Sequence, residues 1–436
     1  MTAFESKSHE FLIPAGYRPR LVEPHLDRLL RSFGCVEITG PKWCGKTWTA
    51  LSRSRSVTRL DDPTEREPVV MDPQLAFLGE KPHLVDEWQE VPQVWDAARR
   101  YVDASSGARG QLMLTGSCGL APAQRQIITH SGAGRIARIS MRPMSLVESG
   151  DSSGQVSLYR LLSQEGLTPA RRTTSLEEVA LWCCRGGWPS SLDLPDEAAL
   201  EIPPQYLRAV LDERVFEEGR SVTLAESLLR ALAMNASQAV TLATLIKDSN
   251  IEQGTPARST IEEYLALFQR LYILDEIPGW EPPLRAKARV RVKPKRYFTD
   301  PSLPAALLEA DPPTLLRDMQ TLGLLFENLV ARDLLAFLST YSGLGNRLSY
   351  YRDEKGLEVD FIVEHGRSWG AIEVKLSDTK ADEAAENLLR FHQKILSNSA
   401  AQHAEPAFLA VIVGRGSMAY QRNDGVYVIP IATLGA

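Results

Sequence analysis

The sequence lacks the features that mark membrane or secreted proteins. No run of residues approaches the ~18 consecutive apolar positions of a membrane span, and the first residues do not follow the basic-then-apolar order of a secretory signal. The cysteines also lack the paired spacing of a zinc site or a disulfide framework. They are Cys35, Cys44, Cys118, Cys183 and Cys184. We therefore expect a soluble, cytoplasmic protein without a membrane partner.

An excess of positive charge is also missing. The chain has 49 lysine and arginine residues against 55 aspartate and glutamate residues, a formal net charge of -6. This balance argues against a protein that coats nucleic acid by bulk charge, although a local basic patch is compatible with it. The length of 436 residues and the 44% hydrophobic content predict two or three globular domains of ~100 to 200 residues each.

A phosphate-binding motif occurs near the N-terminus. The segment "GPKWCGKT" at 40–47 fills the pattern G-x-x-x-x-G-K-[ST], between an apolar stretch typical of a strand and a stretch able to begin a helix. Backbone N–H groups of such a loop wrap phosphates, while Lys46 would reach the β- and γ-phosphates and Thr47 would bind Mg²⁺. A glycine turn before a helix is the alternative interpretation. The predicted ATP-binding residues are Gly40, Pro41, Lys42, Trp43, Cys44, Gly45, Lys46 and Thr47.

Two later segments supply the groups that ATP hydrolysis needs besides the loop. In "HLVDEWQ", Asp86 is the predicted metal-side carboxylate and Glu87 the base that activates water. In "QLMLTGS", a further strand ends in the hydroxyls of Thr115 and Ser117, which we predict to sense the γ-phosphate. A surface turn with adjacent acidic residues is the alternative for the first segment.

Four segments together resemble one ATPase family. "GPKWCGKT", "VDEWQEVPQVW", "LMLTGSC" and "GAGRIARISMRPMSLVE" look like the bacterial and archaeal AAA-type P-loop ATPases that carry a C-terminal domain of unknown function. The resemblance implies that Arg135 is the arginine finger or phosphate sensor, with Arg138 second; two solvated arginines are the alternative. The chain departs from the family at Lys42-Trp43 and Trp48, outside the phosphate-contacting positions.

The middle of the chain predicts a winged helix. Residues 225–277 read as three short helices, and the segment after them carries cations at alternate positions, which share one face of a strand. These cations are Arg285, Lys287, Arg289, Arg291 and Lys293. A basic wing suits contact with a nucleic-acid backbone, DNA in preference to RNA. Pairing with acidic residues of another domain is the alternative.

The C-terminal region carries carboxylates in a nuclease-like order. Glu327 lies beside the apolar stripe of a long helix at 321–341, Asp360 follows in "LEVDFIVE", and Glu373 and Lys375 share one face of "AIEVKL". This order resembles the PD-(D/E)xK nuclease core, with Val359 where the proline would stand. Asp360 and Glu373, with Glu327 as a direct or outer ligand, would bind Mg²⁺, and Lys375 would stabilise developing charge.

The predicted protein is thus an α/β chain of three parts. They are an AAA-like P-loop ATPase domain at 1–160, a helical linker and winged helix at 161–305, and a nuclease-like domain at 306–436. Two functions fit this organisation: an ATP-dependent nucleic-acid enzyme with a metal-dependent nuclease, or a non-cleaving ATP-dependent switch that binds nucleic acid or a protein. An arginine finger acting in trans would require a homo-oligomer; one acting in cis would not.

Overall fold

The computed structural model describes residues 10–117, 119–216, 218–249, 256–280, 293–343, 345–397 and 405–436. The chain divides into two compact units, Met1–Met141 and Arg142–Ala436. This division falls before the boundary predicted at residue 160, because the segment that follows Met141 packs within the second unit. Strand Val156–Ser157, for example, pairs with Leu434–Gly435 near the C-terminus. A further boundary at 305/306 stays a prediction.

The first unit is built on a five-stranded sheet. Its strands are β1 (Cys35–Thr39), β2 (Ser56–Arg59), β3 (His83–Asp86), β4 (Leu112–Gly116) and β5 (Ile136–Ser140). They are all parallel, in the order β2-β3-β4-β1-β5. Because the carboxyl ends of parallel strands share one edge, the loops after β1, β3 and β4 meet there.

Helices cover both faces of this sheet. They are α1 (Glu23–Ser32), α2 (Lys46–Leu51), α3 (Pro63–Met71), α4 (Gln93–Ala104) and α5 (Pro122–Arg125). Successive strand residues alternate between two cores: Leu84 packs in the core that includes Leu26, whereas Val85 packs in the core that includes Val94 and Trp95. Every residue of β1 and β3 is buried, as expected of strands covered on both faces.

The second unit contains the remaining helices and strands of the described chain. Its helices are α6 (Leu146–Ser149), α7 (Leu158–Leu162), α8 (Leu176–Arg185), α9 (Asp196–Ala199), α10 (Ile202–Ala209), α11 (Val222–Met234), α12 (Leu242–Asp248), α13 (Arg258–Arg270), α14 (Ser302–Leu307), α15 (Pro312–Arg317), α16 (Met319–Thr340) and α17 (Ala381–Leu396). Its strands are β6 (Val156–Ser157), β7 (Ala170–Thr174), β8 (Leu274–Ile277), β9 (Lys295–Phe298), β10 (Arg347–Arg352), β11 (Glu358–His365), β12 (Ser368–Ser377), β13 (Phe408–Gln421), β14 (Tyr427–Pro430) and β15 (Leu434–Gly435).

The middle segment has three helices followed by paired strands. Helices α11, α12 and α13 precede β8 and β9, which pair antiparallel. Helix α13 buries an apolar face that includes Ile261, Tyr264 and Phe268. The segment between the two strands, with the predicted wing cations Arg285, Lys287, Arg289 and Arg291, lies outside the described residues; Lys293 is described and exposed. The winged-helix assignment stays a prediction.

The C-terminal region of the second unit centres on a mixed sheet. Strands β10 to β14 are neighbours in chain order, and β7 joins the sheet by pairing antiparallel with β13. Helix α17 packs on this sheet through Leu388 and Phe391, in a core that also contains Val359 and Val411. The long helix α16 matches the one predicted at 321–341. In the part of the chain that the structure describes, no helix is both long and apolar enough to cross a bilayer.

Candidate functional site

The loop after β1 has the backbone geometry that a phosphate-binding loop needs. Gly40 has φ +145°, and a Cβ added there would lie 2.2 Å from the Met141 carbonyl oxygen, so a side chain is excluded. Gly45 has φ +99° and caps helix α2 in the left-handed region that favours glycine. The two motif glycines are therefore required by the fold of the loop itself.

Side chains fix the shape of this loop from both sides. The Lys46 ammonium group is buried and donates a hydrogen bond to the Pro41 carbonyl oxygen at 2.7 Å. Arg20 donates from Nη1 to the Cys44 carbonyl oxygen at 2.6 Å. Trp43 and Trp48, where the chain departs from the family pattern, expose nearly half of their surfaces. The ammonium group is therefore held within the loop, whereas the two indoles border it.

Two predicted residues, Thr47 and Thr115, contact the carboxylate of a third, Asp86. Thr47 donates from Oγ1 to Asp86 Oδ1 at 3.0 Å, and Thr115 donates from its hydroxyl to the same oxygen. Burial raises the pKa of Asp86 above its ordinary value, and the two hydroxyl hydrogen bonds offset part of that rise. Residues from the ends of β3 and β4 and from the start of α2 are thus brought together at this carboxylate.

A second group forms around Glu87. Ser117 donates from Oγ to Glu87 Oε2 at 2.9 Å, and the side-chain amide of Gln89 donates to the same oxygen. Glu87 has φ +52°, an uncommon conformation for a non-glycine residue. The carboxylate is therefore oriented by two neutral donors at the same edge of the sheet as Asp86.

The hydroxyl of Thr47 and the carboxylate of Asp86 fit a magnesium ion. Both present hard oxygen atoms, and they already lie within hydrogen-bonding distance of each other. A P-loop site supplies few protein ligands, because phosphate oxygens and water complete the coordination. The donor set is therefore compatible with Mg²⁺ bound together with ATP.

The two predicted arginines have different partners. Arg135 donates from Nε to Asp103 at 2.8 Å, and both side chains are exposed. Arg138 donates from Nε to Glu37 Oε2 at 2.5 Å, across neighbouring strands β5 and β1. In the structure described here, Arg135 is therefore held by an exposed carboxylate and Arg138 by a buried one.

Glu37 is a buried carboxylate that the sequence reasoning missed. It lies on β1, accepts a hydrogen bond from Trp88 Nε1 at 3.2 Å, and pairs with Arg138. Burial raises its pKa, although Arg138 and Trp88 lower it in part. The signal was available: a single charged residue in the otherwise apolar "CVEIT" strand requires a partner when both faces are covered.

In the second unit, the predicted nuclease-like residues lie on neighbouring strands. The last paired positions of β11 and β12, Phe361 and Ile372, adjoin Asp360 and Glu373. The Val374 amide donates to Asp360 Oδ2 at 2.9 Å. Asp360 and Glu373 are therefore close together on neighbouring strands.

Lys375 contacts both of these carboxylates. Its Nζ lies 2.7 Å from Glu373 Oε2 and 3.9 Å from Asp360 Oδ2. Asn387 on α17 donates to Glu373 Oε1 at 2.8 Å. Both oxygens of Glu373 are thus engaged by side-chain donors.

A second lysine, absent from the predicted set, occupies the other side of the group. Lys295 on β9 is 3% exposed; its Nζ lies 2.7 Å from Glu358 Oε1, 3.2 Å from Glu327 Oε1 and 3.9 Å from Asp360 Oδ1. Tyr297, on the same face of β9, donates to Glu327 Oε1 at 2.6 Å. We call these residues the carboxylate–lysine cluster: Lys295, Glu327, Glu358, Asp360, Glu373 and Lys375.

Burial perturbs the acids and bases of the carboxylate–lysine cluster in a consistent way. Burial raises the pKa of Glu327 to about 7, with Lys295 opposing the rise, and raises the pKa of Glu373 to about 7, with Asp360 adding to it. For Lys295 and Lys375, burial alone would lower the pKa, but the surrounding carboxylates raise it above the ordinary value. Both lysines are therefore charged at neutral pH.

The predicted metal ligands Glu327, Asp360 and Glu373 do not fit a divalent cation in this arrangement. Among the described residues, no group of three or more histidine, cysteine, aspartate and glutamate side chains is arranged to hold a metal ion. The physical reason is visible in the distances, because ammonium groups already contact all three carboxylates. The three residues are close together, but they face lysines.

Comparison with known families divides the chain into three matched segments. Residues 32–149 match the model described as "AAA domain". Residues 176–314 match "Domain of unknown function (DUF8612)", and residues 322–434 match "Domain of unknown function (DUF4143)". The latter two descriptions assign no activity.

The chain was also compared with curated proteins and with solved structures. No curated protein matches the chain. Among solved structures, the chain is similar to "The walker-type atpase paby2304 of pyrococcus abyssi", with 13% identity and a TM-score of 0.44 over 69% of this chain and 99% of that chain. The AAA match agrees with the parallel sheet and the loop geometry, so the N-terminal part is a P-loop ATPase domain of the AAA type that binds ATP.

Proposed function

We propose that this protein hydrolyses ATP in its first unit and uses the nucleotide state to control binding of nucleic acid by its second unit. One observation carries the ATP-hydrolysis part of this proposal. The group of Thr47, Asp86 and Thr115 lies at the same sheet edge as the pair of Glu87 and Ser117. The Asp86 carboxylate accepts a hydrogen bond from Thr47 of the phosphate loop, and the carboxylate of the next residue, Glu87, accepts one from the neutral hydroxyl of Ser117. P-loop ATPases require these two functions.

The candidate site residues of the first unit have different roles in this mechanism. Lys46 binds the β- and γ-phosphates after leaving the Pro41 carbonyl oxygen, and backbone N–H groups of the loop bind the remaining phosphate oxygens. Glu87 accepts a proton from the attacking water, while Ser117 holds the carboxylate in position. Thr115 links the γ-phosphate region to Asp86.

Magnesium enters the proposal through Thr47 and Asp86. These two residues would hold Mg²⁺, which when bound neutralises the charge that develops on the phosphates. Asp86 would exchange its hydrogen bond from Thr47 for the ion. Arg135 as an arginine finger requires that its guanidinium group leave Asp103, in cis or in a homo-oligomer.

A second candidate function is phosphodiester cleavage by the second unit. It is favoured by the adjacent strand positions of Asp360 and Glu373. It requires Lys295 and Lys375 to leave these carboxylates before a metal ion can bind them. In this candidate the C-terminal region has a PD-(D/E)xK-like fold. Incubation of purified protein with plasmid, linear and single-stranded DNA and with RNA, with and without ATP and Mg²⁺, separates cleavage from binding alone.

The ATPase proposal is tested with Glu87→Gln and Lys46→Ala. Glu87→Gln is expected to bind ATP normally and to hydrolyse it at least ~100-fold more slowly, the usual scale for a lost general base. Lys46→Ala is expected to lose ATP affinity, because its ammonium group contacts the phosphates in the complex. Steady-state phosphate release and fluorescent-nucleotide titration measure the two effects.

Glu90→Gln is the matched control, since it makes the same chemical change three residues further along and contacts Arg66 at 3.8 Å. It should hydrolyse ATP at nearly the wild-type rate. Normal turnover by Glu87→Gln would remove Glu87 from the mechanism.

A further inference from the structure

The carboxylate–lysine cluster contains a cation of its own. Nζ of Lys295 lies within 3.9 Å of three carboxylates, which come from helix α16 and strand β11. The side chain is almost fully buried, and its ammonium group lies 5.4 Å from the centre of the Tyr350 ring. A buried ammonium group is retained only where carboxylates compensate its loss of hydration.

We propose that Lys295 is the resident cation of this cluster and takes the place that a divalent metal ion would require. A metal ion and the Lys295 ammonium group cannot share the oxygens of Glu327, Glu358 and Asp360, because two positive charges would then lie within a few ångströms of each other in a buried site. The second unit therefore binds no metal ion at these carboxylates while Lys295 is in position.

The charges of the cluster support this assignment. Four acidic side chains face two lysines and Arg352, which lies 3.7 Å from Glu358. Lys375 is engaged chiefly with Glu373. Without Lys295, the oxygens of Glu327, Glu358 and Asp360 would lose their shared counter-charge. Hard oxygen donors grouped in this way are the ligands that Mn²⁺ and Mg²⁺ prefer.

A substitution that removes the ammonium group is therefore expected to convert the cluster into a metal site. Full-length protein without nucleotide is titrated with Mn²⁺, and bound ion is counted by electron paramagnetic resonance. Lys295→Met should bind one more Mn²⁺ per chain than the wild type, and adding Asp360→Asn to that variant should remove the gain. Lys295→Arg keeps a cation and should show no gain.

Lys293→Met is the matched control, because Lys293 is exposed and lies two residues earlier. It should leave the Mn²⁺ stoichiometry unchanged. A folded Lys295→Met protein that binds no additional Mn²⁺ would overturn the proposal.

A separate measurement on the wild-type background decides the question if Lys295→Met does not fold. Asp360→Asn and Glu327→Gln should each leave the Mn²⁺ stoichiometry of the otherwise wild-type protein unchanged. A loss of one bound Mn²⁺ in either variant means that the cluster already holds a metal ion beside Lys295, and the proposal is then wrong. The proposal concerns the second unit alone, so failure of ATP hydrolysis in the first unit does not affect it.

Discussion

The two acidic sites of the molecule differ in the groups that hold their carboxylates. In the first unit, Asp86 accepts hydrogen bonds from Thr47 and Thr115, which are neutral. In the second unit, Asp360 lies 3.9 Å from the ammonium groups of both Lys295 and Lys375. Both aspartates lie on strands, and both were predicted to bind magnesium.

This difference in partners decides which site is open to a cation. Hydroxyl donors orient a carboxylate without cancelling its charge, so the attraction for an incoming metal ion is kept. An ammonium group cancels that charge, and a metal ion would have to displace a buried lysine at a large desolvation cost. A carboxylate at the expected position is thus insufficient evidence for a metal site, because a buried cation that already pairs with it competes with the metal ion.

The largest effect on this comparison is expected from Asp86→Asn. An amide is a poorer ligand for a hard cation, and loss of metal-assisted charge stabilisation worth several kcal/mol should lower kcat/KM for Mg-ATP by roughly 100- to 1,000-fold. Binding of ATP in EDTA should change little, since Lys46 and the loop amides remain. Equal turnover by the variant and the wild type would break the comparison at its first site.

The first site could be predicted from sequence because its signals are local. The glycines that shape the loop, and Lys46 and Thr47 that face the phosphates, fall within one octapeptide. Parallel strands then bring their carboxyl ends to one edge, so the positions of Asp86 and Thr115 follow from the order of apolar runs. The Glu37–Trp88 hydrogen bond was not predictable in the same way, because it joins β1 to the turn after β3.

The second site required information that spacing within one segment does not carry. The acidic residues follow from alternation within β11 and β12, but Lys295 is 32 residues before Glu327 in the chain. One signal did exist, because the alternating cations of the predicted wing continue to Lys295 and then to Tyr297. That face of β9 points into the carboxylate–lysine cluster, and only the tertiary fold shows that its lysine meets acids rather than solvent.

An intermediate effect is expected from Glu327→Gln, as a change in the pH dependence of stability. The pKa of Glu327 is raised from an ordinary 4.5 to about 7, so the folded state binds more protons than the unfolded state between these values. Stability from this group is fully present below pH 4.5 and is lost as pH rises through 7. Glutamine does not titrate, so the unfolding free energy of the variant relative to wild type should increase between pH 5 and pH 8, by about 3 kcal/mol at most. The difference in melting temperature between variant and wild type should increase with it.

Glu383→Gln provides the control for this measurement. Glu383 pairs with Lys380 on the surface, and both side chains are largely exposed, so its variant should differ from wild type equally at the two pH values. A melting-temperature difference for Glu327→Gln that stays constant or falls with pH would mean that the carboxylate–lysine cluster does not disfavour the ionised form of Glu327. The rise in the pKa of Glu327 that we assign to burial would then be wrong.

The smallest effect on stability is expected from breaking the Arg135–Asp103 pair in the first unit. The Arg135–Asp103 pair is exposed on both sides, and such pairs stabilise proteins by about 0 to 1 kcal/mol. Thermal unfolding of Arg135→Ala, Asp103→Ala and the double variant should therefore give a coupling energy below ~1 kcal/mol, since water competes for both side chains. A coupling above that range would show that Asp103 holds Arg135 firmly. ATP turnover of the same variants gives a second readout. If Arg135 is an arginine finger, the rate should fall only in the proteins that lack Arg135, without a change in stability. Asp103→Ala should keep the rate, because it frees the guanidinium group without removing it.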